Sequence, residues 1–139
     1  MRQTEVEFDE LRAALIAFEQ LLPIELPADM AAFGQARVRL ARSVNQFVAG
    51  ERGRIEDLAA LGVANADQDE QRALFSHLTQ LRSRYSAHIT RWSGRDLILS
   101  WHAYRRDSIE LVAAMRAFLD QRTAARSTIN ARKAFLAVA

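Results

Sequence analysis

The sequence predicts an all-α protein: one antiparallel up-down-up-down four-helix bundle over residues 1–139, its tail either extending the last helix or forming a short appended one. Three observations predict it. Apolar residues recur at spacings of three and four in four long segments, with no strand-like alternation. Short breakers separate those segments: Pro23 with Pro27, the run GVANAD at 62–67, and Ser93-Gly94. Each apolar stripe also holds a seven-residue spacing, which favours left-handed packing with helix axes ~20° apart.

The first helix is expected from about Glu5 to Leu22, with stripe Phe8, Leu11, Leu15, Phe18 and Leu22. Thr4 and Glu7 fit a capping box, in which hydroxyl and carboxylate satisfy free N–H groups of the first turn. Pro23 and Pro27 end this helix and make a short extended link. The second helix starts near Asp29, a good N-cap, and ends at Gly62. Its stripe reads Val38 or Leu40, Val44, Phe47, Glu51, Arg54 or Ile55, Leu58 and Leu61. Glu51 occupies an apolar position and is flanked by Gly50 and Gly53, each of which weakens a helix by about 1 kcal/mol relative to alanine.

Asp67 with Glu70 is expected to cap the third helix, which runs to about Trp92 with stripe Leu74, Leu78, Leu81, Tyr85, His88 and Trp92. The stripe changes phase at Ser93-Gly94, so a tight turn is expected there. The fourth helix begins near Asp96, with stripe Leu97, Trp101, Tyr104, Ser108, Leu111, Met115 and Phe118, and runs at least to Ala125.

Composition narrows the function classes. The chain has no cysteine, which excludes disulfides, thiolate catalysis and Cys-ligated metal. No apolar run approaches the ~20 residues that span a bilayer, and the acidic start MRQTEVEFDE lacks a signal-peptide layout. A cytoplasmic protein without membrane attachment is expected. The net charge of +2 hides an asymmetry: residues 1–70 carry seven basic and thirteen acidic groups, residues 71–139 twelve and four. An acidic first helix beside a basic last helix accounts for it. Arg82, Arg84, Arg91, Arg95, Arg105 and Arg106 lie on solvent faces rather than interleaved with the aromatics, so nucleic acid is not the expected partner.

Chemistry-bearing residues concentrate at 75–106, which hold His77, His88 and His102, both tryptophans and both tyrosines. No histidine has a His, Glu or Asp partner at the i, i+3 or i, i+4 spacing a metal-binding helix offers. His77 and His88 share a face but lie three turns, ~16 Å, apart. The inward polar residues are Glu51, Arg54, His88 and Ser108, with Tyr85 and Tyr104 nearby, which predicts a buried polar cluster. Two readings follow: a structural hydrogen-bonded group, or a metal site on Glu51 and His88 with His77 as a further candidate. Two inward ligands are too few for a di-metal centre. No glycine-rich phosphate loop or nucleophile constellation is present, so no enzyme activity is expected. Ser76-His77 and the stretch from His88 to Trp92 resemble phosphohistidine boxes only loosely.

Residues 40–61 (LARSVNQFVAGERGRIEDLAAL), 81–92 (LRSRYSAHITRW) and 101–122 (WHAYRRDSIELVAAMRAFLDQR) resemble the second, third and fourth helices of the hemerythrin-like (HHE cation-binding) family. The resemblance implies the bundle, and a di-iron cofactor if the family site is retained. Glu51 matches the family's bridging glutamate. Phe47 stands where its partner histidine would be, Leu11 lies near a first-helix ligand position, and Arg122 with Thr123 replaces ligand-bearing residues. Arg126-Ser127-Thr128 replaces a closing tyrosine-proline segment. The implied protein is a degenerate member with no cofactor, acting as a binding or regulatory module through a protein partner or self-association. The alternatives are a retained iron sensor or oxygen-binding site, and a phosphotransfer-type signalling bundle.

Overall fold

The computed structural model describes the backbone of residues 2–60 and 65–138, and the side chains of residues 6–56, 69 and 72–124. Every regular element described is helical: α1 (Arg2–Gln20), α2 (Met30–Ala60), α3 (Asn65–Arg91), α4 (Gly94–Leu99) and α5 (Trp101–Val138). None of them is long and apolar enough to cross a membrane.

The predicted stripes form the core. Phe8, Leu11, Leu15, Phe18 and Leu22 of α1 are buried, as are Leu40, Val44, Phe47 and Ile55 of α2. Val38 is 58% exposed, so Leu40 is the residue of that turn which faces inward. Leu58 and Leu61 lie outside the described side chains. Leu78, Tyr85, His88 and Trp92 of α3 meet Leu97, Trp101, Tyr104, Ser108, Leu111, Met115 and Phe118 across the interior.

The helix ends differ from expectation in three places. The backbone is already helical at Arg2, so Thr4 sits inside the first turn. Its presumed capping partner Glu7 instead accepts from Arg54 at 2.8 Å. α3 begins at Asn65, ahead of Asp67, whose side chain is outside the described set. The expected fourth helix is two: Ser93 caps α4, its hydroxyl accepting from the Asp96 N–H and donating to the Asp96 carboxylate at 2.9 Å. Ser100 then leaves helical geometry at φ −130°, ψ 49°. Hydrogen bonds from Ser100 N–H to Asp96 and from Tyr104 N–H to Ser100 continue on either side. The helix is therefore interrupted at Ser100 while hydrogen bonding continues on both sides, and Leu97 and Trp101 are both buried. Asp29 caps α2 as expected, accepting from the Ala32 N–H at 2.9 Å. The tail continues α5 to Val138.

α1 packs on α2 and α5, α2 on α3, and α3 and α4 on α5. Glu7 meets Arg54, Glu10 meets Arg39, and Phe18 stacks on Phe33. Arg12 meets Asp120, Glu19 meets Arg116, and the Leu22 carbonyl accepts from Arg105. Arg52 lies over Phe75 while Arg37 donates to the Trp92 carbonyl. His77 touches Phe118 while His88 meets Asp107. In each series, residue numbers rise on one helix as they fall on the other.

Candidate functional site

The polar residues predicted to form one interior cluster form two. Arg122 belongs to one and Ser108 to the other. They lie about four turns apart on α5, ~21 Å at 1.5 Å per residue. Between them the α5 face is Leu111, Val112, Met115, Phe118 and Leu119, all at most 3% exposed. Glu51 and His88 therefore do not face each other: an apolar layer separates them.

The first cluster is ionic. Glu51 is fully buried. Its Oε1 accepts from Arg122 Nε at 2.6 Å and pairs with Arg122 Nη2, while its Oε2 accepts from Arg54 Nη2 at 3.0 Å. Arg54 reaches on to Glu7, so two carboxylates and two guanidiniums alternate along a chain linking α1, α2 and α5. Alternation is what makes the burial tolerable, because each desolvated charge has an opposite neighbour. Phe8 packs edge-on to Phe47, Phe47 edge-on to Phe118, and the Arg54 guanidinium lies over Phe8. Gly50 has a specific role here: a Cβ on it would collide with the Glu7 carboxylate. The glycine that weakens α2 thus leaves the space in which Glu7 reaches Arg54.

The second cluster is aromatic and largely neutral. Asp107 accepts from the Trp92 indole N–H at 2.9 Å and lies 2.8 Å from His88 Nδ1. An ionised carboxylate only accepts, so His88 Nδ1 carries the proton. Burial pushes the His88 pKa below its ordinary value and outweighs the opposing pull of Asp107; Arg37 and Arg84 add to the lowering. In that neutral tautomer Nε2 accepts, and Ser108 Oγ lies 3.4 Å away as its donor. Burial raises the Asp107 pKa, but the hydrogen bonds from Trp92 and His88, with the charge of Arg91, leave it below the usual carboxylate range.

Tyr104 lies at the centre, with His88, Trp92, Trp101 and Phe33 against its ring and Arg37 above it. Its hydroxyl is buried toward Ser108 and Arg37 without a hydrogen bond of good geometry. Burial raises its pKa, and burial also pushes the Tyr85 phenol to about 12. Both hydroxyls are protonated at neutral pH.

Of the predicted cluster, Glu51 and Arg54 thus fall in the first group, and Tyr85, His88, Tyr104 and Ser108 in the second. His77 joins neither: it is exposed, with its ring edge-on to Phe118. His102 is exposed on α5.

Sequence reasoning missed Arg122, Glu7, Asp107 and Arg37 as members. Arg122 was detectable, since it continues the α5 stripe four residues beyond Phe118. Asp107 lies one residue off that stripe and gave no signal.

The donors do not fit a di-iron centre. Both Glu51 oxygens are taken by arginines, whose charge repels a cation, and Phe47 and Phe118 form the nearby wall. Among the described residues, no three His, Asp or Glu side chains gather as a ligand set. The second cluster has the connectivity of a Ser-His-Asp relay, with Ser108 fully buried beneath the surface. No family model matches the chain, and neither a curated protein nor a solved structure was found to be similar to it.

Proposed function

We propose that this chain is an up-down-up-down four-helix bundle of hemerythrin-like descent in which an ion-pair chain stands in place of the di-iron site, and that it acts by binding rather than catalysis. The opposed numbering of the contacts between α1, α2, α3 and α5 supports the antiparallel bundle. One observation carries the loss of metal: Glu51, the residue matching the family's bridging glutamate, has both oxygens bonded to Arg122 and Arg54. An arginine in place of a ligand neutralises the buried carboxylate without a metal ion. His88 is committed in the same way, with both ring nitrogens in hydrogen-bonding range of Asp107 and Ser108. That leaves the chain's exterior to do its work.

The test is metal content. Protein purified from iron-supplemented cells should carry iron well below one equivalent, show no oxo-bridged di-iron absorption, and keep its melting temperature on addition of ferrous iron. Near-stoichiometric iron that disappears in Glu51→Ala would overturn the reading.

A further inference from the structure

The charge of α3 is left uncancelled by the helices around it. α1 and α5 pack on each other and their charges meet: Arg116 pairs with Glu19 and Arg12 with Asp120. Elsewhere on α5, Arg122 is spent on Glu51, Arg105 on the Leu22 carbonyl, and Arg106 has Glu110 one turn away. α3 packs on α2 and α5. From Arg72 to Arg91 it carries four arginines and no acidic residue, and all four are exposed. Arg72 reaches Asp69 only at 4.0 Å. Among the described residues, Arg82, Arg84 and Arg91 have no carboxylate in ion-pair range. The α2 stretch 30–50 holds three arginines and no acid. On the α5 side, Asp107 feels the charge of Arg91 but bonds to Trp92 and His88.

Helical geometry places these arginines on two flanks. Arg84 and Arg91 lie one turn to either side of His88, which meets Asp107 of α5, so both stand on the α5 flank. Arg82 follows Phe75 by seven residues, and Phe75 lies under Arg52 of α2, so Arg82 stands on the α2 flank. Between the flanks run Ser76, Ser83 and Thr90, all exposed. Each comes two residues before a buried one (Leu78, Tyr85, Trp92), about 200° round the helix, and so faces away from the core. α3 thus presents a line of small hydroxyl residues with unpaired arginines on both sides. A helix is ~10–12 Å across, and the major groove of duplex DNA is ~12 Å wide with phosphates along both rims. Both tryptophans and both tyrosines are buried, so base stacking plays no part; phosphate contact needs only exposed cations and hydroxyls. A helix lying on a lipid surface needs an apolar stripe, and Ile89 is the one large exposed aliphatic described on α3.

We infer that α3 seats in the major groove of duplex DNA, with Ser76, Ser83 and Thr90 toward the groove floor, Arg84 and Arg91 on the phosphates of one rim and Arg82 on those of the other. The contacts are to the backbone, so binding is independent of sequence. The inference rests on the reading of the chain as a binding module.

Fluorescence anisotropy of the full chain with a labelled DNA duplex of about two turns tests it, with circular dichroism checking each variant's fold. Saturable binding is expected at about 50 mM salt, weakening toward 200 mM with a log–log slope of about −3 for three phosphate contacts. Arg84→Gln and Arg91→Gln together should bring that slope to about −1. Arg106→Gln, on α5 beside Glu110, should leave it unchanged. Ser83→Glu, at an exposed position on the outward line, should keep its helicity and bind about 10-fold more weakly or worse. Duplex RNA, whose major groove is too narrow to admit side chains, should bind more weakly than DNA. No binding at low salt overturns the inference, as does a slope indifferent to Arg84 and Arg91 or lowered equally by Arg106→Gln. Equal affinity for duplex RNA, or full binding by Ser83→Glu, overturns the groove seating. Co-sedimentation with phosphatidylglycerol vesicles that depends on Arg84 and Arg91, without DNA binding, would overturn it in favour of a lipid surface. None of these outcomes bears on the loss of the metal site, which iron content decides separately.

Discussion

The two buried polar clusters solve one problem in opposite ways. Near Glu51, four charges neutralise one another: Glu51 and Arg122 are at most 4% exposed, while Arg54 and Glu7 are only partly buried. Around His88, a single carboxylate is ionised, its side chain is 36% exposed, and the buried imidazole is neutral. Neither Glu51 nor Arg122 can be removed from the first arrangement without stranding a buried charge in low dielectric. The second has an outlet, because Asp107 can turn to water when a partner is lost. The ionic end should therefore be sensitive to substitution and the aromatic end to pH.

The largest expected effect breaks the ionic end. Arg122→Met leaves Glu51 buried with Arg54 alone and should cost about 3–5 kcal/mol in urea unfolding. Glu51→Leu combined with Arg122→Met should cost markedly less, because it removes the stranded charge. If the single and double variants lose the same stability, the pair is not what holds that end. At the aromatic end, His88→Leu strands Ser108 and removes one Asp107 donor, and should cost about 1–3 kcal/mol.

The pH dependence sharpens the same contrast. The folded His88 pKa lies below its ordinary value of 6.5, so the unfolded chain takes up that proton first. His88 should make stability fall as pH drops below about 6.5 toward the depressed folded value. Asp107 should add a second loss only below about 3.8, as pH approaches its own depressed value. Urea midpoints between pH 7 and 5 should slope in the wild type and flatten in His88→Leu; equal slopes would remove His88 as the cause.

The smallest effect separates two glycines of one helix. Gly53 has open space where a Cβ would go, so Gly53→Ala should stabilise by about 1 kcal/mol. Gly50→Ala gains the same helix propensity but must displace Glu7 from Arg54, and should come out neutral to destabilising. In a Glu7→Ala background its sign should turn favourable, which a double-mutant cycle would read directly.

The helices and their inward faces were legible because one face of each is apolar and periodic, and burial depends on that pattern alone. The inward charge at Glu51 was legible for the same reason, as a break in the pattern. Its place in the interior was not. Which polar residues share a level depends on the vertical register between helices, and residues that share a face can lie four turns apart, as Ser108 and Arg122 do on α5. Asp107 was hidden for another reason: it lies off the stripe at the α3–α5 seam and reaches His88 and Trp92 from the side. The interruption at Ser100 carries neither glycine nor proline, and its flanking hydrogen bonds persist, so no local residue type announced it.

The pairing of Gly50 with Glu7 has a consequence for the order in which such a sequence can change. While residue 7 is a glutamate bonded to Arg54, position 50 accepts no side chain without disturbing that bond. Once residue 7 becomes small, position 50 is released and alanine there becomes the better helix former. Losing Glu7 first gives up its bond to Arg54 and opens the space beside Gly50, whereas adding a side chain at position 50 first gives up the same bond while Glu7 still has to be accommodated. Gly50 is thus held in the middle of a long helix by one neighbouring side chain, and each of the two positions constrains what the other can become.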